Sequence, residues 1–305
     1  MILLWGLSSD GPIAAVTAAL TETHTPFVFL NQRSVLESRI ELEMDGSVVG
    51  RLQSPDCDVE LAAITSVYLR PYEVRRLPRL KDLKPDDPLL QRAFLFEDLI
   101  TAWTEITPAL VVNRPSAMAS NNSKPHQLML IRAAGFDVPE TLVTTDPAAV
   151  VSFQCQYGQV IYKSVSGVRS IVTRLRSPAE DLAKIANCPT QFQQYIEGTD
   201  YRVHVIGDQV FACAIRSSAD DYRYSAREGA DLQVAPDQIP EDFAERCRNL
   251  ARLLNLPLAG IDLRRTTTGK WYCFEVNPSP GFTFYEEACG QPISATVAQL
   301  LADRS

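Results

Sequence analysis

Several features that would assign a chain to a common protein class are absent from this sequence. Its 305 residues contain no run approaching the roughly 18 apolar residues that a membrane-spanning helix needs. The formal net charge of −8 argues against general binding to nucleic acid or to a membrane surface, which requires basic patches. There is no internal repeat, low-complexity tract or flexible linker. We therefore expect an ordinary soluble globular protein of the cytoplasm.

Motifs for covalent or zinc chemistry are also absent. The seven cysteines are scattered and include no CxxC pair, a pattern that is typical of a reducing compartment and of mostly buried thiols. His24, His126 and His204 lie far apart and share no metal-ligand spacing, so we interpret them as structural or solvated. No GxSxG or similar nucleophile motif occurs. The chain therefore has no evident protein nucleophile.

The first third of the sequence predicts a parallel sheet. Residues 1–7 are apolar but lack a basic flank, and they predict a buried strand and not a signal peptide. A helix with Pro12 near its first position follows, and residues 26–30 predict a second strand. This β-α-β order is typical of parallel sheets. The other elements predicted here are a hairpin over 40–52 turning at Asp45-Gly46, a strand at 67–71 and a helix over 89–107, and residues 111–115 close this region.

The remainder predicts helices mixed with hairpins. Ser123 is suited to cap a helix that ends at Gly135. We expect residues 219–235 to be polar and mobile. The other predicted elements are helices from 146, near 178–186, over 240–254 and over 292–302, strands ending at 144, 163, 174 and 196, and hairpins over 201–216 and 260–277.

Three oxygen donors lie on the last hairpin. Glu275 and Asn277 are two residues apart, so on a strand they point to the same face, and Asp262 can lie opposite them. Two carboxylates and an amide oxygen suit Mg²⁺, which takes its remaining ligands from water and phosphate. The alternative is a strand with one solvated polar face. The hairpin predicts a metal site that serves a nucleotide.

Two lysines extend this pattern. Lys124 begins a helix, where a phosphate could meet both the ammonium group and the helix dipole. Lys163 ends an apolar strand before a small-residue loop whose only glycine is Gly167. Each alone is more often a surface lysine. Together with the metal hairpin they would supply the positive charge that an ATP triphosphate requires.

The order of these motifs resembles the ATP-grasp superfamily, and is most similar to RimK-type ligases that add glutamate to protein tails. The motifs are Lys124, Lys163 with its loop, Gln194-Tyr-Ile196, Asp200-Tyr-Arg202, Arg216, Asp262 and Glu275-Val-Asn277-Pro-Ser-Pro-Gly. The likeness covers roughly 114–305. It implies an α/β (α+β) architecture: an ATP-grasp domain over 114–305, with a small lobe over about 124–196 and a metal-binding lobe over about 197–305. By topology, residues 1–113 fit the pre-ATP-grasp α/β domain of such enzymes.

The resemblance also implies roles for single residues. Lys124 and Lys163 would contact the ATP phosphates, and Arg216 would face the γ-phosphate. The other implied roles are adenine recognition at Gln194, Tyr195 and Ile196, ribose binding by Asp200, catalysis by Lys163, Arg202 and Arg216, phosphate contacts near Arg223 and Ser225, and one or two Mg²⁺ ions (Mn²⁺ as an alternative) held by Asp262, Glu275 and Asn277.

Some of these positions depart from the family pattern or allow another interpretation. Gln194 stands where a glutamate is usual, Ser225 where RimK-type enzymes often have asparagine, and the loop after Lys163 carries Arg169 in place of glycines. Asp200 and Arg202 could instead form a surface ion pair with each other. Arg216 ends a strand, where arginine commonly reaches solvent.

The implied chemistry is ATP-dependent ligation of a carboxylate donor to an amine, or less often a hydroxyl, through an acyl phosphate. The substrates would be a peptide, a protein tail or a small amino acid, and related ligases often form homo-oligomers. Tyr68-Leu-Arg-Pro71 is also similar to graspetide maturases, ATP-grasp enzymes that crosslink ribosomal peptides. For these, Tyr68–Arg79 and the helix over 97–105 would contact a leader peptide, unless both are merely solvated. A non-catalytic ATP-binding regulator and an ATP-grasp phosphotransferase remain alternatives.

Overall fold

The computed structural model describes residues 1–44, 48–165, 172–175, 182–217 and 231–303. The strands in these ranges are β1 (Ile2–Gly6), β2 (Phe27–Asn31), β3 (Arg39–Met44), β4 (Val48–Ser54), β5 (Cys57–Glu60), β6 (Ser66–Arg70), β7 (Leu110–Val112), β8 (Thr141–Thr144), β9 (Val160–Ser164), β10 (Thr173–Arg174), β11 (Thr190–Gln194), β12 (Thr199–Ile206), β13 (Gln209–Ser217), β14 (Leu232–Asp237), β15 (Leu258–Arg265) and β16 (Trp271–Asn277). The α-helices are α1 (Gly11–Glu22), α2 (Pro88–Ile106), α3 (Pro115–Met118), α4 (Lys124–Ala133), α5 (Pro147–Tyr157), α6 (Glu241–Leu253), α7 (Thr283–Cys289) and α8 (Ile293–Ala302). Several residues singled out in the sequence lie outside the described ranges: Asp45, Gly46, Gly167, Arg169, Arg223 and Ser225.

The first sheet is parallel throughout, in the order β2-β1-β6-β7, which confirms the predicted β-α-β start. Asp10 caps α1, because its carboxylate accepts a hydrogen bond from the Ile13 amide at 3.1 Å. One face of the sheet packs on α2 through residues such as Trp103. The other face packs on α1 and, unexpectedly for a helix at the far end of the sequence, on α8, where the Leu301 carbonyl accepts from Ser66 Oγ at 2.6 Å.

The second and third sheets are antiparallel. The predicted hairpin forms β3 and β4, and β5 adds a third strand that the sequence analysis did not anticipate. The third sheet has the order β10-β9-β11-β8 and packs on α5 around Phe192. Where a helix was predicted near 178–186, the described part of the segment is a 3-10 helix over Leu182–Asn187.

The fourth sheet, in the order β14-β13-β12-β15-β16, carries most of the predicted site residues. Helices α4 and α6 cover one of its faces, and α7 lies on the other. In the segment expected to be polar and mobile, residues from Leu232 onward belong to β14, a strand that the sequence analysis did not anticipate. Its alternation explains this: Leu232 and Val234 pack beside Ile215 and Tyr285, which stabilises an edge strand.

Three buried amide side chains join segments that are distant in sequence. In each case the amide oxygen accepts from the backbone N–H of one residue, and the amide nitrogen donates to the carbonyl of that same residue. Gln127 bonds to Val276 at 3.0 and 2.8 Å, Asn113 to Leu258 at 3.2 and 2.6 Å, and Gln32 to Tyr72 at 2.7 and 2.6 Å. We call these contacts amide clasps. They satisfy the buried backbone groups of Val276 and Leu258 and the partly buried ones of Tyr72.

The predicted boundary at residue 113 stays a prediction. Among the described residues, no helix combines the length and the apolar character that crossing a membrane demands.

Replacing Gln127 with Leu should lower the free energy of unfolding by about 2–4 kcal/mol, because it leaves the N–H and carbonyl of Val276 buried without partners. Urea denaturation followed by circular dichroism measures this. Gln238→Leu, at an exposed glutamine, is the control. Equal stability of the two variants would show that the Gln127 clasp contributes nothing.

The carboxyl group of Glu97 should make the free energy of unfolding depend on pH. Burial, opposed by a hydrogen bond from Gln32, raises the pKa of Glu97 from 4.5 to about 7. Between those values the folded state holds a proton that the unfolded state has lost, so the free energy of unfolding falls as the pH rises. Glu97→Gln should therefore be more stable than the native protein at about pH 8.5 and differ less at about pH 5. Parallel pH profiles of the two proteins in urea denaturation would contradict this.

Candidate active site

The β15–β16 hairpin brings the three predicted metal ligands to one face. Asp262 is paired directly with Glu275, and Gly260 is paired with Asn277. The register shifts after Asp262, where Phe274 is an extra residue on β16. This bulge lets Glu275 point away from the core while Cys273, two residues earlier on β16, stays buried in it. The predicted same-face arrangement is therefore present in the structure.

Each carboxylate has a buried cation of its own. Arg202 on β12 donates from Nη1 to Asp262 Oδ1 at 2.6 Å, and Lys124 at the start of α4 donates from Nζ to Glu275 Oε1 at 2.9 Å. Only 6% of Arg202 and 7% of Lys124 are exposed. Removing one partner of such a pair would leave an uncompensated charge in a poorly solvated place. Two predicted metal ligands, a predicted phosphate ligand and a predicted catalytic arginine thus form one charge-balanced cluster.

Gly260 makes room for this cluster, a role that the sequence analysis missed. A Cβ atom at this position would lie 2.3 Å from Arg202 Nη2 and 2.7 Å from Pro280 Cβ. The guanidinium therefore lies directly over the backbone of β15. Its other side faces the ring of Tyr285 on α7, with 5.7 Å between Cζ and the ring centroid. A glycine directly opposite a predicted metal ligand in a strand is a signal that could have indicated this close approach.

His204, two residues after Arg202, is fully buried, which confirms its interpretation as structural. Neither ring nitrogen has a hydrogen-bond partner among the described residues. Burial, and secondarily the charge of Arg202, hold the pKa of His204 well below its usual value, so its imidazole is neutral. It packs against the ring of Tyr285, with 5.3 Å between centroids. His204 therefore fills space behind the cluster and adds no charge to it.

Asp200 forms its ion pair with Arg264 and not with Arg202. Arg264 donates to both carboxylate oxygens of Asp200, at 2.7 and 2.9 Å. The alternative in which Asp200 and Arg202 pair with each other is thus wrong. The reason is register: each lies directly opposite a residue of opposite charge on β15, and such cross-strand pairs are closer than neighbours along one strand.

The segment predicted to recognise adenine follows β11. Arg174 stacks on the ring of Tyr195, with 4.2 Å between its Cζ atom and the ring centroid. The Tyr195 hydroxyl accepts a hydrogen bond from Arg174 Nη2 at 2.8 Å. The carbonyl of Ile196 accepts from Arg264 Nη1 at 2.7 Å. The two guanidinium groups therefore fix the segment between the third and fourth sheets. The roles of Gln194, Tyr195 and Ile196 toward a nucleotide stay predictions.

The two remaining predicted residues are placed differently. Lys163 on β9 is half-buried and lies opposite Gln191, on the face of the third sheet away from the Phe192 cluster. Arg216 is exposed on β13, next to Ile215, which shares a face with Asp200. Since successive residues alternate, Arg216 leaves the fourth sheet on the face opposite the charge cluster. The structure does not bring Arg216 to the predicted metal ligands.

The donor set suits Mg²⁺. Asp262, Glu275 and Asn277 offer oxygens only, and Asn277 Oδ1 accepts one hydrogen bond, from the Ser279 amide at 2.9 Å, which leaves it a lone pair. Among the described residues no three His, Cys, Asp or Glu side chains cluster as a ready cation site. Because Mg²⁺ takes about six oxygen ligands, an ion held by these three side chains would need further ligands, such as water or phosphate oxygens.

Residues 119–301 match the family described as the RimK-like ATP-grasp domain. The chain belongs to the RimK-like ATP-grasp family. It is an ATP-grasp ligase, and such ligases use ATP and Mg²⁺. The resemblance seen in the sequence is thereby confirmed in family, fold class and enzyme class, and the regulator without turnover is not retained.

Relatives and solved structures agree with this assignment. The chain is 27% identical over 262 residues to a probable α-L-glutamate ligase of Enterobacter sp. (strain 638), covering 82% of this chain and 85% of the relative. The fold is similar to the RiPP-associated ATP-grasp ligase of Chryseobacterium gregarium in complex with ADP and a leader and core peptide, with a TM-score of 0.84, 22% identity and coverage of 100% and 97%. It is also similar to the ATP-grasp ligase PsnB with minimal precursor, Mg and ADP, at a TM-score of 0.82, 26% identity and coverage of 99% and 96%.

Replacing Gly260 with Ala should lower the rate of ADP formation at least about tenfold, since it displaces the guanidinium of Arg202 by an ångström or more. The control is Gly281→Ala in the adjoining loop, where a Cβ meets nothing within 4 Å. Rates are measured with a coupled ADP assay, and thermal unfolding verifies that both variants fold. Native activity in Gly260→Ala would show that the position of Arg202 is immaterial.

Proposed function

We propose that this protein is an ATP-dependent carboxylate–amine ligase that acts through an acyl phosphate on a peptide or protein tail. The observation that carries the proposal is the pair Asp262 and Glu275, opposite each other on neighbouring strands, each balanced by a buried cation. Oxygen donors with adjacent ammonium and guanidinium groups are what the triphosphate of a magnesium–ATP complex requires.

The reaction has two steps. A substrate carboxylate oxygen attacks the γ-phosphorus of ATP, and the bond to the β-phosphate oxygen breaks to release ADP. The acceptor amine then attacks the acyl carbon, loses a proton and expels inorganic phosphate. Neither step needs a protein nucleophile, in agreement with the absence of such a motif.

The protein contributes positioning and charge to these steps. Lys124 and Arg202 exchange their carboxylate partners for phosphate oxygens, and Lys163 approaches the phosphates from the third sheet. Asp262, Glu275 and Asn277 would hold one or two Mg²⁺ ions, with Mn²⁺ as an alternative, and a bound ion would supply positive charge to the phosphate oxygens. Asp200 with the 194–196 segment takes the nucleoside. Arg223 and Ser225 contact phosphates in the same scheme, whereas Arg216 leaves the fourth sheet on the opposite face.

A peptide substrate is supported by similar ATP-grasp ligases that bind peptides. The PsnB ligase, 26% identical with 99% of this chain covered, binds its minimal precursor together with Mg and ADP. This likeness favours a second candidate function, in which the acceptor is a side-chain hydroxyl or amine of a ribosomal precursor and the product is an ester or amide crosslink. A homo-oligomeric, cytoplasmic enzyme with a domain boundary near residue 113 completes the proposal.

The test is release of ADP and phosphate when ATP and Mg²⁺ are offered with candidate peptides, scored by mass spectrometry for loss of water from the joined product. Lys163→Ala and Asp262→Ala should each abolish ADP formation while the fold is retained. The exposed Lys81→Ala is the control. Native turnover in either variant would remove that residue from the site.

The same products show whether the new bond is an ester, which only the second candidate forms, or an amide, which both candidates allow. Hydroxylamine opens an ester crosslink within one peptide and adds its own mass as a hydroxamate, whereas an amide resists this treatment. Binding of ATP without turnover for any peptide, including one encoded beside the gene, would count against both.

A further inference from the structure

A cleft of about 720 Å³ opens at the carboxyl ends of the first sheet's strands, and the proposed reaction gives it no role. Its walls come from the ends of β1 and β6, from the segment after β6, and from the 278–281 loop that follows the metal hairpin. The polar and charged residues of its lining include Asp10, Arg33, Arg70, Tyr72, Arg76 and Ser279. Ligands of open α/β sheets commonly bind at this edge.

Arg70 ties the cleft to the candidate active site. It donates from Nε to Asp10 Oδ1 at 2.8 Å, and from Nη1 to Ser279 Oγ at 2.9 Å and the Pro280 carbonyl at 3.1 Å. Ser279 lies two residues after Asn277, the last predicted metal ligand. One end of the cleft is therefore fixed beside the site at which ATP is proposed to react.

The rest of the cleft is basic although the whole protein is acidic, with a net charge of −8. Asp10 is neutralised by Arg70, but no salt bridge involves Arg33 within the described residues. Arg76 pairs with Glu73 at 2.8 Å, where both side chains are mostly exposed. Such exposed pairs contribute little, so a carboxylate of a ligand can replace Glu73.

The two arginines are held in a fixed relation to each other. Arg33 directly follows Gln32, and Arg76 lies four residues after Tyr72. Gln32 is buried and clasps both backbone groups of Tyr72, at 2.7 and 2.6 Å. The clasp joins the two short segments that carry the guanidinium groups. An anion bound between them therefore meets groups whose backbone is already ordered, which lowers the entropic cost of binding.

We propose that this arginine cleft binds an acidic stretch of the peptide substrate, with Arg33 and Arg76 contacting carboxylates other than the one that is activated. The inference rests on the proposed function, because the cleft leads to the site only if a peptide carboxylate reacts there. Guanidinium groups suit carboxylates through paired, charge-assisted hydrogen bonds. The cleft would thus select peptides whose reacting residue has acidic neighbours.

The test measures binding of fluorescein-labelled hexaglutamate and hexaglutamine to the full-length protein by fluorescence anisotropy. Hexaglutamate should bind at least about tenfold more tightly, and Arg33→Gln and Arg76→Gln should each weaken it about fivefold, the size expected for one partly exposed ion pair. The double variant should no longer distinguish the peptides. Arg39→Gln makes the same charge change at an exposed position outside the cleft and should bind as the native protein does.

Equal binding of the two peptides, or native affinity in the double variant, would overturn the assignment. Stronger competition by a thymidine hexanucleotide than by unlabelled hexaglutamate would overturn it too, since the cleft would then favour nucleic acid. ADP release separates this proposal from the preceding one. If peptides stimulate ADP release and both arginine substitutions leave the KM for the peptide unchanged, the ligase proposal stands and the cleft proposal is wrong. If hexaglutamate binding depends on the two arginines but no peptide stimulates ADP release, the cleft binds acidic peptide and the ligase proposal is wrong.

Discussion

The balance of charge across three neighbouring strands is the constraint on which the site depends. Register places Arg202 beside Asp262 and Asp262 beside Glu275, and α4 delivers Lys124 to Glu275 from outside the sheet. Carboxylates so close and only about a quarter exposed, at 28% and 24%, would repel each other without these cations. The same cations are the groups that a triphosphate needs. The cations that neutralise the carboxylates in the absence of nucleotide are thus the same ones proposed to bind the phosphates of ATP.

The amide clasps hold this arrangement in place without adding charge to it. Gln127 clasps Val276, which lies between Glu275 and Asn277, so the outer edge of β16 is fixed by α4, the helix that also carries Lys124. Asn113 joins the end of the first sheet to the start of β15. A hydrogen-bonded amide can reach a backbone that no strand can approach, and it is insensitive to pH. The electrostatic part of the site therefore rests on a neutral frame.

The two ends of the molecule divide the work of the enzyme. The proposed ligands of phosphate and metal lie on the third and fourth sheets and at the start of α4. The first sheet presents the arginine cleft, and Arg70 links the two by contacts to Asp10, Ser279 and the Pro280 carbonyl. Substrate selection can thus change at Arg33 and Arg76 without disturbing Asp262 or Glu275, because the connecting residue is a third arginine whose donors are already engaged.

The sequence alone determined what local pattern can express: the β-α-β start, the helix capped by Ser123, the hairpin that aligns Asp262 with Glu275, and the family. It did not determine that Asp200 pairs with Arg264, that Arg202 needs Gly260, that Arg216 faces away, or that β14 forms an edge. Those outcomes depend on which strands become neighbours and in what register, as for Asp200 and Arg264, which lie 64 residues apart in the sequence. Alternation within a strand defines two faces, but only packing on both sides of a sheet decides which face meets the site, and that packing is a property of the whole fold.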